Sequence, residues 1–109
     1  MAENLSFEGL TIAPGVLDTV VRLATQQVEG VAGLGVGMRK TALARAVTVE
    51  LEGEDKLVVS VHVQAYVGEQ LRELGKAIQT AISDALKSQL GVSPSRVDVY
   101  IDGLAFPEN

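Results

Sequence analysis

The fold can be read from Leu57-Val58-Val59-Ser60-Val61-His62-Val63-Gln64-Ala65-Tyr66-Val67. Leu57, Val59, Val61, Val63, Ala65 and Val67 take alternate positions, and Val58, Ser60, His62, Gln64 and Tyr66 fill those between. Successive side chains of an extended chain point to opposite faces, so the pattern predicts a strand with one wholly apolar face and one mixed face. The apolar face needs a covering layer.

Immediately upstream, Ala46 to Glu52 alternates in the same way, with Val47, Val49 and Leu51 on one side and Thr48, Glu50 and Glu52 on the other. The polar Gly53-Glu54-Asp55-Lys56 between the two runs predicts an antiparallel hairpin with a four-residue connection. Farther upstream, Pro14 suits the first turn of a helix, where its missing N–H costs nothing. The spacing of Leu17, Val20, Val21, Ala24 and Val28 predicts that helix over about 14–28, with Asp18, Arg22 and Gln26 outward and Gly30 as its stop. Leu10-Thr11-Ile12 is a short extended start, and the glycine-rich Val31–Gly37 suits either a short strand or a loop.

Downstream, Gly68 ends the long strand. Leu71, Leu74, Ile78, Ile82, Ala85 and Leu86 then predict a helix over about 70–90, with Gly91 where a C-terminal cap belongs. After Pro94 a last strand places Val97, Val99 and Ile101 inward and Asp98, Tyr100 and Asp102 outward. The elements assemble most economically as an α/β (α+β) two-layer sandwich, with two helices on one face of a small mixed sheet of three to five strands. A chain of 109 residues makes one such domain, 1–109, with flexible ends expected over about 1–8 and 105–109. Each buried Val, Leu or Ile contributes about 1.5–3 kcal/mol, so this core offsets chain entropy without a metal or disulfide.

The composition narrows the function. No cysteine is present, which excludes disulfides, thiolate metal sites and cysteine nucleophiles. A net charge of −5 opposes autonomous binding to nucleic acid or anionic lipid, because phosphate is held mainly by Lys and Arg. The apolar runs fall far short of the roughly 20 residues that span a bilayer, and no signal peptide opens the chain. A cytoplasmic protein without direct membrane insertion is expected.

Residues 30–37, Gly-Val-Ala-Gly-Leu-Gly-Val-Gly, invite a phosphate-loop reading, but Met38 stands where a dinucleotide fingerprint wants glycine. Arg39 stands where a P-loop wants the glycine before Lys40, and the run follows a helix instead of a strand. His62 is the sole histidine, and Asp98, Asp102, Glu50 and Glu52 are the carboxylates that strand pairing could bring to it. A surface or interface imidazole is the simpler reading, as a solvated sheet face is for the carboxylates. Ser83, Ser88, Ser93 and Ser95 form no nucleophile-elbow pattern. No catalytic, cofactor or metal residue is therefore assigned. The candidate partner contacts are Arg39, Lys40 and Arg45 in the connection after the glycine run, with His62, Tyr66 and Tyr100 on outward strand positions.

Several ordered pieces resemble the alkaline shock protein family, small bacterial proteins linked to cell-envelope stress. They are Ile12-Ala13-Pro14-Gly15-Val16-Leu17, Val28-Glu29-Gly30-Val31-Ala32-Gly33-Leu34, the strand ending in Tyr66-Val67-Gly68, Ile78-Gln79, and Val97-Asp98-Val99-Tyr100-Ile101-Asp102-Gly103-Leu104. Val67 separates a tyrosine and glycine that the family often holds adjacent, and the 36–45 connection is short. The resemblance implies a cytoplasmic stress protein without known enzymatic activity, prone to self-association and in some members held at the membrane by a separate small integral-membrane partner; no cofactor is expected. A regulatory link to fatty-acid or acetyl-CoA carboxylase metabolism is a second implication. An RNA-binding α/β module is the competing class, against which the acidic balance and few aromatics weigh.

Overall fold

The computed structural model describes residues 5–7, 10–34, 46–52 and 56–106. At the start, β1 (Leu5–Phe7) pairs antiparallel with β2 (Leu10–Ile12), so the short extended start expected at Leu10 to Ile12 is one strand of a hairpin. Pro14 then opens α1 (Pro14–Gln26), which ends two residues earlier than its apolar spacing suggested. Leu17, Val20, Val21 and Ala24 are buried as expected, and Val28 packs half-buried from the turn that follows.

The glycine-rich segment resolves the strand-or-loop question for its first part, since β3 (Val31–Leu34) is a strand. Residues 35–45, and with them Arg39, Lys40 and Arg45, lie outside the described residues. β4 (Val47–Glu52) and β5 (Lys56–Tyr66) pair antiparallel as expected, in register from Val47 opposite Val61 to Glu52 opposite Lys56, so Lys56 belongs to the strand and not, as expected, to the connection. α2 (Leu71–Leu90) follows, and β6 (Arg96–Ala105) is the last element among the described residues.

β5 is the hub of the sheet. Its even-numbered residues direct backbone groups to one edge, where His62 N–H donates to Ala46 O (2.7 Å) and Tyr66 N–H donates to Gly30 O (3.0 Å). β4 and β3 therefore share that edge end to end, both antiparallel to β5. The odd-numbered residues serve the other edge, where β6 runs parallel and Val67 N–H donates to Ala105 O (2.8 Å). The sheet is mixed, and both helices cover one of its faces.

Leu57, Val59, Val61, Val63 and Ala65 are fully buried beneath those helices, as are Leu17 and Val21 of α1 and Ile78, Ile82 and Leu86 of α2. The period of two on the strand thus meets the period of 3.6 on each helix in one core. Two expected core positions are corrected. Val67 lies beyond the end of β5 in a turn, and Leu71 occupies the first position of α2, past the covered part of the sheet; both are exposed. Gly91 adopts φ +68°, so its N–H reaches Lys87 O and Val92 N–H reaches Leu86 O, which satisfies terminal helix carbonyls.

Candidate functional site

The uncovered face of the sheet carries the even-numbered side chains of β5 and their neighbours on β4 and β6. Sequence alternation puts His62 on this face. The parallel register then sets Tyr100 directly beside it, and the two rings stack with centroids 4.6 Å apart and planes 11° from parallel. Stacked aromatic pairs contribute about 0.5–1.5 kcal/mol beyond area burial, and this pair, standing half in solvent, belongs at the low end of that range.

Asp102 completes the group. Between Val63 opposite Ile101 and Gln64 opposite Gly103, the register shifts by one residue, and Asp102 is the extra residue of that bulge. Bulges bend a strand and re-aim its side chains. Here the carboxylate turns over the outward face, and His62 Nδ1 meets Asp102 Oδ2 at 2.6 Å. With Nδ1 as the donor to a carboxylate, Nε2 of the neutral ring is an acceptor.

A second cluster lies at the other end of the same face. Arg96 Nε donates to Asp98 Oδ2 (3.0 Å) and Arg96 Nη2 reaches Glu52 Oε2 at 3.5 Å. The hydrogen bond to Asp98, then the charges of Asp98 and Glu52, raise the Arg96 pKa above its ordinary value. Because Arg96 sits on β6 and Glu52 on β4, this pair spans β5. Val58 lies between, in register with Arg96 and Glu50, and is only 7% exposed although it belongs to the outward face.

Of the four carboxylates that could have met His62, the structure selects Asp102, while Asp98 and Glu52 are committed to Arg96. Tyr66 shares the outward face but stands four residues along β5 from His62, roughly 13 Å at strand rise, and stacks on no ring among the described residues. Arg39, Lys40 and Arg45 are not among the described residues. Sequence reasoning passed over Arg96, Leu104 and Phe106. Arg96 and Asp98, two apart on one strand face, were a readable sign of a charge pair. The exposure of Leu104 and Phe106 had no sequence signal, because it depends on where the helices stop.

Chemically, the His62–Asp102 pair fixes a tautomer and an orientation, and no hydroxyl among the described residues hydrogen-bonds to the imidazole. No described group of three His, Asp or Glu side chains is placed to hold a metal ion. What the surface offers instead is contact area: Tyr100 on the uncovered face is 47% exposed, and at the end of β6 Leu104, in register with Ala65 on the helix side, and Phe106 just past the strand are 59% and 80% exposed. Among the described residues no helix is long and apolar enough to cross a membrane.

Comparison with known proteins adds the relationship. The family model of the alkaline shock proteins, described as having a cell envelope-related function, matches residues 3–106. It is the group to which the ordered motifs pointed. An uncharacterized Streptococcus pyogenes serotype M6 protein, Spy1535, is 25% identical over 100 residues, covering 87% of this chain and 78% of its own. Among solved structures, one from a study of fatty acyl-adenylate ligases of E. coli and L. pneumophila superposes with a TM-score of 0.59 at 12% identity. That match covers 92% of this chain and 14% of the ligase chain. A zinc form of the MamM CTD superposes with a TM-score of 0.54 at 10% identity, covering 87% of this chain and 90% of its own. At such identities the likeness is one of fold alone.

Proposed function

The chain belongs to the alkaline shock protein family, whose function is related to the cell envelope, and on that premise we propose that it is a non-enzymatic scaffold or regulator acting by protein binding and self-association. The observation that carries this reading is the exposure of three large side chains of β6 and its end: Tyr100 on the uncovered face, Leu104 on the helix side, and Phe106 just past the strand. Exposed aromatic and aliphatic side chains grouped on a folded surface favour burial against another protein. The His62–Asp102 pair is consistent with the same role, since it holds an imidazole rigidly at the surface without an adjacent nucleophile.

In this reading the protein works in the cytoplasm, and its link to the envelope runs through a partner held in the membrane. The carboxylates of Glu50, Glu52, Asp98 and Asp102 on the outward face oppose a nucleic-acid partner. The test is light scattering of the full chain over a concentration range, with Tyr100→Arg and Leu104→Arg alongside. A mass above the monomer that falls on either substitution supports the reading. A strictly monomeric chain that also retains no partner from a bacterial lysate refutes it.

A further inference from the structure

We propose that two copies of this chain pair through β6, edge to edge and antiparallel, with the twofold axis at Val99. The proposal rests on the self-association reading above and specifies its geometry.

β6 is ten residues long and bonds to β5 along one edge only; its other edge has no strand partner among the described residues. The bonding alternation directs the backbone of Arg96, Asp98 and Tyr100 to β5 and that of Val97, Val99 and Ile101 to the free edge. Gln79 of α2 shows this directly, since its Nε2 reaches around to Val97 O at 2.9 Å. That carbonyl retains a second lone pair for a strand bond. An unpaired edge is a template for another strand unless it is short, charged inward, bulged or covered.

The bulge sets the usable length. Regular pairing begins at Arg96 and ends at the register shift at Asp102, and Val99 is the midpoint of that span. An antiparallel twofold at Val99 therefore uses all of it. On the outward face Arg96 then stands opposite Asp102 of the second copy, and Asp98 opposite Tyr100. On the helix face Val97 stands opposite Ile101, and Val99 opposite itself. Opposite charges and β-branched pairs in these positions favour the pairing. Shifting the axis to Tyr100 sets Asp98 opposite Asp102 twice, which is repulsive.

The core also fits. Val99 and Ile101 face the helix layer yet remain only half-buried, because they lie at the uncovered margin. A second β6 would bring its own Val97, Val99 and Ile101 against that margin, extending one apolar layer through the axis. Arg96 is held above the strand by Asp98 and Glu52, so its charge is already positioned on the outward face.

The chain lacks cysteine, so one introduced thiol reports the axis without background. Opposed residues of an antiparallel hydrogen-bonded pair have Cα atoms about 5.5 Å apart, inside the roughly 4.4–6.8 Å span of disulfides. Val99→Cys in the full chain is expected to give a covalent dimer under mild oxidation, and Tyr100→Cys is not. Independently, Arg96→Asp and Asp102→Arg each weaken the dimer roughly tenfold or more by sedimentation, and the double charge exchange restores it to within about threefold.

Circular dichroism of each variant accompanies these measurements, and the thiol result stands even where a charge reversal unfolds the chain. Cross-linking through Tyr100→Cys in place of Val99→Cys overturns the register. An oligomer insensitive to both reversals and not linked through Val99→Cys overturns the edge geometry while leaving self-association standing. A monomeric chain overturns both, and so does one whose Val99→Cys thiol links only to a foreign protein.

Discussion

Replacing Gly30 by alanine tests how the glycine-rich turn is held. Gly30 has φ +102° and lies buried between α1 and β3, with its carbonyl accepting the Tyr66 N–H at 3.0 Å. That bond anchors the first strand of the shared edge to β5, so the backbone is not free to relax. An L residue held at such a φ costs about 1–3 kcal/mol. A Cβ there would also stand 2.6 Å from Glu69 Oε1, the end of a flexible and exposed side chain that can move aside. The backbone term should therefore dominate, and Gly30→Ala should lose about 1–3 kcal/mol in urea unfolding at fixed protein concentration. Gly33, with no atom within 4 Å of its would-be Cβ, is the control: Gly33→Ala should stay within about 0.5 kcal/mol or gain slightly. Adding Glu69→Ala to Gly30→Ala should recover only a minor part of the loss. Full recovery would show that the contact, and not φ, set the cost. A Gly30→Ala chain as stable as the parent, with unchanged denaturant slope, would refute the reasoning altogether.

Ile78, fully buried between helix and sheet, should cost about 2–5 kcal/mol on Ile78→Ala, measured by the same unfolding curve. For the stacked pair, a cycle of His62→Ala and Tyr100→Ala should show a coupling of about 0.5–1 kcal/mol. The imidazole itself should carry its neutral-form proton on Nδ1 by nitrogen NMR, and Asp102→Asn should remove that preference. Gln79→Ala removes the side-chain bond to Val97 O and should cost about 0.5–1.5 kcal/mol in unfolding. If β6 pairs as proposed, the same substitution leaves the Val99→Cys cross-link intact, because the freed carbonyl is then satisfied by the second copy.

The sequence by itself determined the elements and their inward faces. Val59, Val61 and Val63 at period two, and Ile78, Ile82 and Leu86 at helical spacing, could be buried only if a sheet and two helices met face to face. Hairpin β4–β5 was equally legible, since a polar turn between two alternating runs leaves few other pairings. The motif order also carried the family relationship, which spans nearly the whole chain.

Tertiary structure decided everything that depends on which strands are neighbours. The parallel pairing of β5 with β6 brings His62 to Tyr100, residues whose separation in sequence leaves their contact unspecified. The one-residue shift at Asp102 selects that carboxylate over Asp98, Glu50 and Glu52, because a bulge changes direction without changing composition. Val58 reads as an outward residue and is buried all the same, beneath charges contributed by two other strands. The edge of β6 that no described strand pairs is likewise invisible in one dimension. Alternation tells which way side chains point, whereas the direction of backbone groups toward or away from a partner is fixed only when the sheet is assembled.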